Sequence, residues 1–439
     1  TSRAGYALNL HYDFDKMILI DLSGRQDALS NFWEGNKVGY FWSAGAGLDF
    51  ARLPYFSENE LVSQLKVSAS YGKVGNLTEN AVPYTTYRYS GNYNNNIAAY
   101  PNGVDNKDLR WEVINPLNIG LDLGFWHDRL TIGVAYFHKK TKDMVFDIPL
   151  STAQAGYTNK DGVIRASKYI NIGEMTNSGI EVTIGGKIIK NSDDGFNWSA
   201  NANLSTLDNK VTKLYEGKDI VGSYTLLREG EAAYTFYLPE WAGVDPATGA
   251  PQWYDKDGKV TSDYNKAEKK VLGSALATLY GGFDTKLSYH GITLEGQLSY
   301  GFGNKIYDQY GEFGYLDGKT AVYPGYRSQT DYWTPENPNA RNPKPVYNRK
   351  DKADAASSRF LYKGDYVRLR TLKLSYEIKP AFLENTYLKK VQLYVMGDNI
   401  WTHTFDKNFK YDPDMQVNGY ASFALPPLKT YSLGVNLNF

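Results

Sequence analysis

Apolar and polar side chains alternate one by one along much of this chain. At its carboxy-terminal end Tyr431, Leu433, Val435, Leu437 and Phe439 take one parity, and Thr430, Ser432, Gly434, Asn436 and Asn438 take the other. Side chains on a strand point to opposite faces in turn. This stretch therefore predicts a strand with an apolar, aromatic-ended face and a small polar face. The pattern recurs internally: Leu117, Ile119, Leu121, Leu123 and Phe125 oppose Asn118, Gly120, Asp122 and Gly124. After a turn at His127-Asp128, Leu130, Ile132, Val134 and Tyr136 continue the apolar set. Similar strands are expected at 6–13, 16–25, 38–50, 61–71, 180–184, 196–204, 277–289, 292–304, 365–377 and 389–401, which with the others makes about 13.

The connections alternate in length. Short turns at 13–15, 127–128, 191–195 and 290–291 are interleaved with long stretches at 76–108, 147–168, 211–268 and 306–362. A soluble sandwich has no reason to gather its long loops at one end, whereas a transmembrane barrel keeps periplasmic turns short and external loops long. The expected fold is all-β: a transmembrane antiparallel β-barrel, greasy outside and wet inside. An odd strand count cannot close alone, because open edges leave backbone groups unpaired in lipid. Further strands are therefore expected upstream of Thr1, on a separate chain or segment, with the break in an external loop.

Composition narrows the classes. The 48 basic and 48 acidic residues cancel, so the basic excess of a nucleic-acid binder is missing. Mean hydropathy is −0.49, and no stretch has the length of a helical span. There is no cysteine, which excludes disulfides and thiolate metal sites, while 37 tyrosines suit strands and interfacial girdles. The five histidines, His11, His127, His138, His290 and His403, lack metal spacing. Asp255, Asp257 and Gly258 read as a hairpin turn, since the later ligands of a calcium loop are missing. No catalytic arrangement appears, and neither an enzyme nor a cofactor is expected.

Several stretches resemble the SusC/RagA-like TonB-dependent outer-membrane transporters of the Bacteroidetes. They include QLKVSASYGKVGN (64–76), LRWEVINPLNIGLDLGFWHDRLTIGVAYFHKKTKDMVF (109–146), NIGEMTNSGIEVTIGGK (171–187), WAGVDPATGAPQWYDKDGKV (241–260), YWTPENPNARNPKP (332–345), VRLRTLKLSYEI (367–378), MGDNIWT (396–402), YDPD (411–414) and LPPLKTYSLGVNLNF (425–439). RQDALSNF (25–32) departs from the family's usual turn. The resemblance implies that residues 1–439 are the carboxy-terminal part of a barrel of about 22 strands, a size that needs a plug. The plug and remaining strands would then lie in the amino-terminal part. It further implies TonB-driven import of oligosaccharides or oligopeptides across the outer membrane of a Gram-negative bacterium, with a SusD-like surface lipoprotein as lid. The alternative is a passive porin or structural barrel.

Candidate contacts follow from chemistry. Tyr84, Tyr87, Arg88, Tyr89, Tyr93, Asn94, Asn95, Asn96 and Tyr100 form an aromatic, amide-rich loop. Tyr310, Tyr315, Tyr323, Tyr326 and Trp333 crowd a second. Tyrosine rings stack on sugar or peptide faces and amides bond hydroxyls or backbone, so both loops are candidates for substrate or lid contact, with self-packing as the other reading. On the strands, Asn118, Asp122, Glu181, Asn197 and Asn201 are expected to line the polar interior. Tyr431, Leu433, Val435, Leu437 and Phe439 resemble the signal that insertion machinery reads by strand pairing.

Overall fold

The computed structural model describes residues 2–56, 59–76, 83–93, 96–150, 156–159, 162–192, 194–320, 325–378, 387–414, 416–422 and 425–439. At 90–93, 96, 98, 100, 149, 156–159 and 162–165 it describes backbone alone. The chain forms two compact units, Thr1–Ile184 with Leu207–Lys218, and Gly185–Thr206 with Asp219–Phe439.

The first unit carries β1 (Arg3–Phe14), β2 (Ile18–Leu29), β3 (Val38–Asp49), β4 (Val62–Asn76), β5 (Glu112–Phe125), β6 (Leu130–Pro149) and most of β7 (Ser167–Ile189). Neighbours in the sheet are neighbours in this series. The second unit carries β8 (Asn197–Thr206), β9 (Leu279–Tyr289), β10 (Ile292–Phe302), β11 (Tyr366–Glu377), β12 (Lys390–Thr404) and β13 (Thr430–Asn438), again paired in series. These are the expected long strands, though β6 and β7 run well past the expected ends. Among the described residues β1 pairs with β2 alone and β13 with β12 alone.

The register carries the alternation from strand to strand. Leu121 lies opposite Val67 on one side and Val134 on the other, and Leu433 lies opposite Val395. The apolar parity is open: Leu433 is 86% exposed and Val435 57%. A belt of this kind in water would be an aggregation surface, whereas against acyl chains it is the favourable face.

Tight turns between consecutive strands depend on backbone in the left-handed region. Asp15 and Lys16 have φ of 52° and 54°, and Trp126, His127 and Asp128 have φ of 53° to 58°. His290 and Gly291 turn β9 into β10 at φ of 48° and 82°. A Cβ on Gly291 would meet the Glu377 carbonyl oxygen at 2.7 Å, so glycine is required there by both conformation and space. Asn197 also ties the turn, accepting from Asn191 N–H at 2.7 Å and donating to the Ser192 and Gly195 carbonyls, while on its strand it keeps the polar parity of Ser199 and Asn201. The expected turn residue Asp193 lies outside the described residues.

The other connections are more structured than expected. Segment 83–103 is a hairpin of strands Thr86–Tyr93 and Asn96–Gly103. The expected loop 211–268 contains the strands Ile220–Val221, Thr225–Leu227 and Thr235–Pro239, which form a sheet with Lys269–Ser274. It also contains the sheet Trp241–Val244, Pro251–Tyr254 and Val260–Thr261, whose last hairpin holds the turn read at Asp255 to Gly258. Lys305–Asp308, Leu361–Lys363 and Tyr420–Ala421 make a third, beside the short helix α1 (Gln309–Gly314). The buried apolar clusters lie where strand ends meet these and neighbouring connections. One joins Leu29, Phe32, Phe41, Leu109 and Trp111; another joins Phe236, Leu238, Tyr307, Tyr315 and Phe360.

Candidate functional site

The polar parity of the strands makes two grooves, one in each unit. In the first unit a groove of ≈ 400 Å³ is lined by Asp21, Lys66, Ser68, Ser70, Asn118, Asp122, Glu181 and Thr183. Gly45, Gly47, Gly120 and Gly133 interleave with them. A Cβ on Gly47 would come within 3.3 Å of the Lys66 side chain, so glycine leaves the cation room to lie along the wall. His11 Nδ1 and Asp21 meet at 2.6 Å on the edge of this wall. In the second unit a groove of ≈ 320 Å³ is lined by Asn201, Asp284, Lys286, Glu295, Gln297 and Lys373. Glu295 bridges Lys286 and Lys373 at 3.3 and 3.5 Å. Such walls, with both signs of charge and many hydroxyls, suit polar cargo or a polar protein plug. Asn118, Asp122, Glu181 and Asn201 stand where the alternation puts them.

The aromatic hairpin presents its side chains to solvent. Tyr84, Tyr87, Arg88 and Tyr89 are exposed, Tyr89 by 72%. Arg88 is paired across the hairpin with Tyr100, and Tyr84 leans on Trp33 at 5.7 Å between ring centres. Asn94 and Asn95 lie outside the described residues, as do the side chains of Tyr93, Asn96 and Tyr100.

The second aromatic loop is placed differently. Tyr315 and Trp333 are buried, at 6% and 8% exposure, and Trp333 Nε1 donates to the Pro246 carbonyl at 3.0 Å. Tyr310 stacks on Tyr411 at 4.9 Å, and Tyr326 packs on Tyr315 at 5.3 Å while accepting from the Tyr411 hydroxyl. These rings hold the loop body together, and Tyr323 lies outside the described residues. Burial pushes the Tyr326 hydroxyl up to about 12, and pushes those of Tyr307, Tyr362 and Tyr411 up as well. Asp308 caps α1 by accepting from Gly311 N–H at 2.8 Å, and burial raises its carboxyl to about 6.

Composition gave no sign of the buried ion clusters in this body. Asp317 takes Arg359 in a two-pronged pair at 2.5 and 2.9 Å, with Arg349 beside it at 3.5 Å, all three almost fully buried. A further clasp joins the stretches VRLR and YDPD. Arg368, wholly buried on β11, donates to Asp412, and Arg370 at the adjacent bulge donates to Asp414 and to Ser299 Oγ at 2.9 Å. The signal was present as two charged stretches, each with its charges two residues apart, but the alternation alone gives no pairing between them.

The terminal strand keeps Tyr431, Leu433, Val435 and Leu437 on its exposed face, with Phe439 just beyond its end and also exposed.

Comparison with known proteins agrees with this architecture. The family model described as TonB dependent receptor-like, beta-barrel, matches residues 1–291. TonB-dependent receptor P3 of Formosa agariphila is 28% identical, covering 98% of this chain and 45% of its own length. TonB-dependent receptor SusC of Bacteroides thetaiotaomicron is 25% identical over 99% of this chain and 43% of its own. A solved structure of the RagAB peptide transporter matches at a TM-score of 0.83 and 26% identity, covering 100% of this chain and 48% of that one. The chain thus spans a little under half the length of the curated relatives it matches.

Proposed function

Because this chain belongs to the TonB-dependent receptor-like β-barrel family of the bacterial outer membrane, we propose that it forms the carboxy-terminal wall and outer loops of an energised importer of oligosaccharides or oligopeptides. The family consists of transporters, not enzymes. The observation that carries the proposal is the division of strands such as β2, β4 and β11 into an exposed apolar parity and a polar parity that lines a groove. One face meets lipid, and the other forms the wet wall along which polar cargo passes.

In this reading the amino-terminal part of the same transporter supplies a plug and the remaining strands, which pair with β1 and β13. TonB acts through that part, since nothing in the described residues resembles a nucleotide site that would supply work locally. A SusD-like lipoprotein covers the external loops, and the exposed hairpin with Tyr87 and Tyr89 contacts that lid or the cargo. The name of the matched RagAB peptide transporter structure supports a peptide cargo by similarity. The terminal strand through Phe439 serves as the assembly signal.

Uptake by a deletion strain complemented with the intact transporter tests this. Labelled oligosaccharides and oligopeptides are supplied with and without a protonophore. Loss of uptake on collapse of the proton gradient is the expected result. Uptake that persists unchanged would make the barrel a passive pore.

A further inference from the structure

The loop body of the second unit contains a cavity of ≈ 240 Å³ that is separate from both strand grooves. Its walls include Trp241, Tyr315 and Tyr362, and three charged groups reach it: Arg341, Arg359 and Asp406. Two of these groups already have their partners. Arg359 is held two-pronged by Asp317 and also donates to the Asn342 side chain and the Ala353 carbonyl. Asp406 accepts from the backbone N–H groups of Lys363 and Asn408, at 3.2 and 3.0 Å, and so fixes the turn.

Arg341 is different. Its Nη1 donates to Asn408 Oδ1 at 3.0 Å and its Nη2 to the Tyr362 hydroxyl at 2.9 Å, both neutral acceptors. Its guanidinium lies 5.9 Å from the ring centre of Tyr315 and 6.0 Å from that of Tyr362. Among the described residues no carboxylate comes within ion-pair distance of it. Asp308 feels its charge from farther away. A guanidinium is built to hold a carboxylate with two parallel bonds, and it carries donors beyond the two in use. Here the two aromatic faces orient a half-buried guanidinium.

We propose that this cavity is a subsite for a carboxylate carried by the cargo, with Arg341 as the binding cation and Trp241 and Tyr362 as the walls that receive the attached ring or chain. The inference rests on the importer reading and adds a charge preference to it. A uronate sugar and an acidic peptide residue share the chemistry, and the test separates them.

Binding to the intact purified transporter is measured calorimetrically with two probe pairs. One pair is trigalacturonate and its methyl ester; the other is an amidated tripeptide carrying one glutamate and its glutamine counterpart. For at least one pair the charged member is expected to bind at least ~10-fold more tightly, as one charge-assisted contact provides. The pair that shows the preference identifies the source. Arg341→Gln should abolish the preference of the charged over the neutral probe, and Arg341→Lys should retain part of it. If Arg341→Gln loosens the loops, seen as new protease cuts in 305–362, the lysine variant decides, since it keeps the charge. Equal binding within both pairs, or a preference that survives Arg341→Gln, overturns the subsite. Proton-gradient-dependent uptake without charge preference would remove the subsite alone, whereas gradient-independent uptake would remove the importer reading.

Discussion

Removing the carboxylate of Asp412 tests how the loop after β12 is held against β11. Arg368 is wholly enclosed, and its Nε and Nη1 have no hydrogen-bond partner. Asp412 and the Tyr366 ring, 5.7 Å from the guanidinium, are what compensate its charge. Asp412→Asn keeps the shape and an acceptor for the Asp414 N–H, but leaves the buried cation without an anion. Breaking a buried pair from one side costs about 3 to 5 kcal/mol. The neighbouring pair is an internal control: Arg370 and Asp414 are each 37% exposed, so Asp414→Asn should cost at most about 1 kcal/mol. The assay is amide hydrogen exchange of residues 405–414 in the intact transporter. If the clasp limits local opening, Asp412→Asn should speed exchange there by roughly 100-fold or more, and Asp414→Asn by less than about 10-fold. Replacing both partners, as Arg368→Met with Asp412→Leu, should restore much of the protection, because no charge is then left buried. Equal acceleration by the two asparagine variants, or none by Asp412→Asn, would refute the idea that the enclosed pair holds this loop.

Three further outcomes are expected. Leu121→Arg and Leu433→Arg place a cation on the exposed apolar face and should each cost about 2 to 4 kcal/mol near the midplane, read as a lower urea midpoint of the assembled barrel; unchanged midpoints would reverse the facing of the strands. Deleting the hairpin tip between Tyr87 and Tyr100 should lower uptake while the barrel keeps its heat resistance, and unchanged uptake would leave those tyrosines with no part in cargo or lid contact. Asp308 has its carboxyl raised to about 6 by burial, so its ionised form is the disfavoured one. Its contribution to the loop body is therefore full below the ordinary aspartate range and is lost as pH rises from about 4 through about 6, by at most about 3 kcal/mol. Exchange in 305–314, corrected for intrinsic rate, should rise across that window and lose the pH step in Asp308→Asn; a step in the opposite direction would contradict this.

The strands were legible in the residues because a pleated backbone sends neighbours to opposite faces. A run such as Leu117 to Phe125 therefore states its own geometry without knowledge of any partner. The same holds for the tight turns, where left-handed backbone at His290-Gly291 is a local matter. It also holds for the greasy parity of Tyr431 to Leu437, since a face that alternates this regularly must find an apolar surround.

The loops followed different physics. Tyr310, Tyr315, Tyr326 and Trp333 read equally as substrate or lid contacts and as self-packing, because whether a tyrosine faces cargo or its own fold depends on what other segments bring to it. Here Tyr411 packs on Tyr310 and Tyr326, Phe360 packs on Tyr315, and Trp333 is bonded to the Pro246 carbonyl. Arg368 with Asp412 and Arg341 with Tyr362 are joined by long-range proximity, which single-residue chemistry does not encode. The sequence by itself determined what each strand shows to lipid and to water. Tertiary structure decided which charges in the loops are neutralised and which, as at Arg341, are left with neutral partners, because only folding brings distant charges within reach of one another.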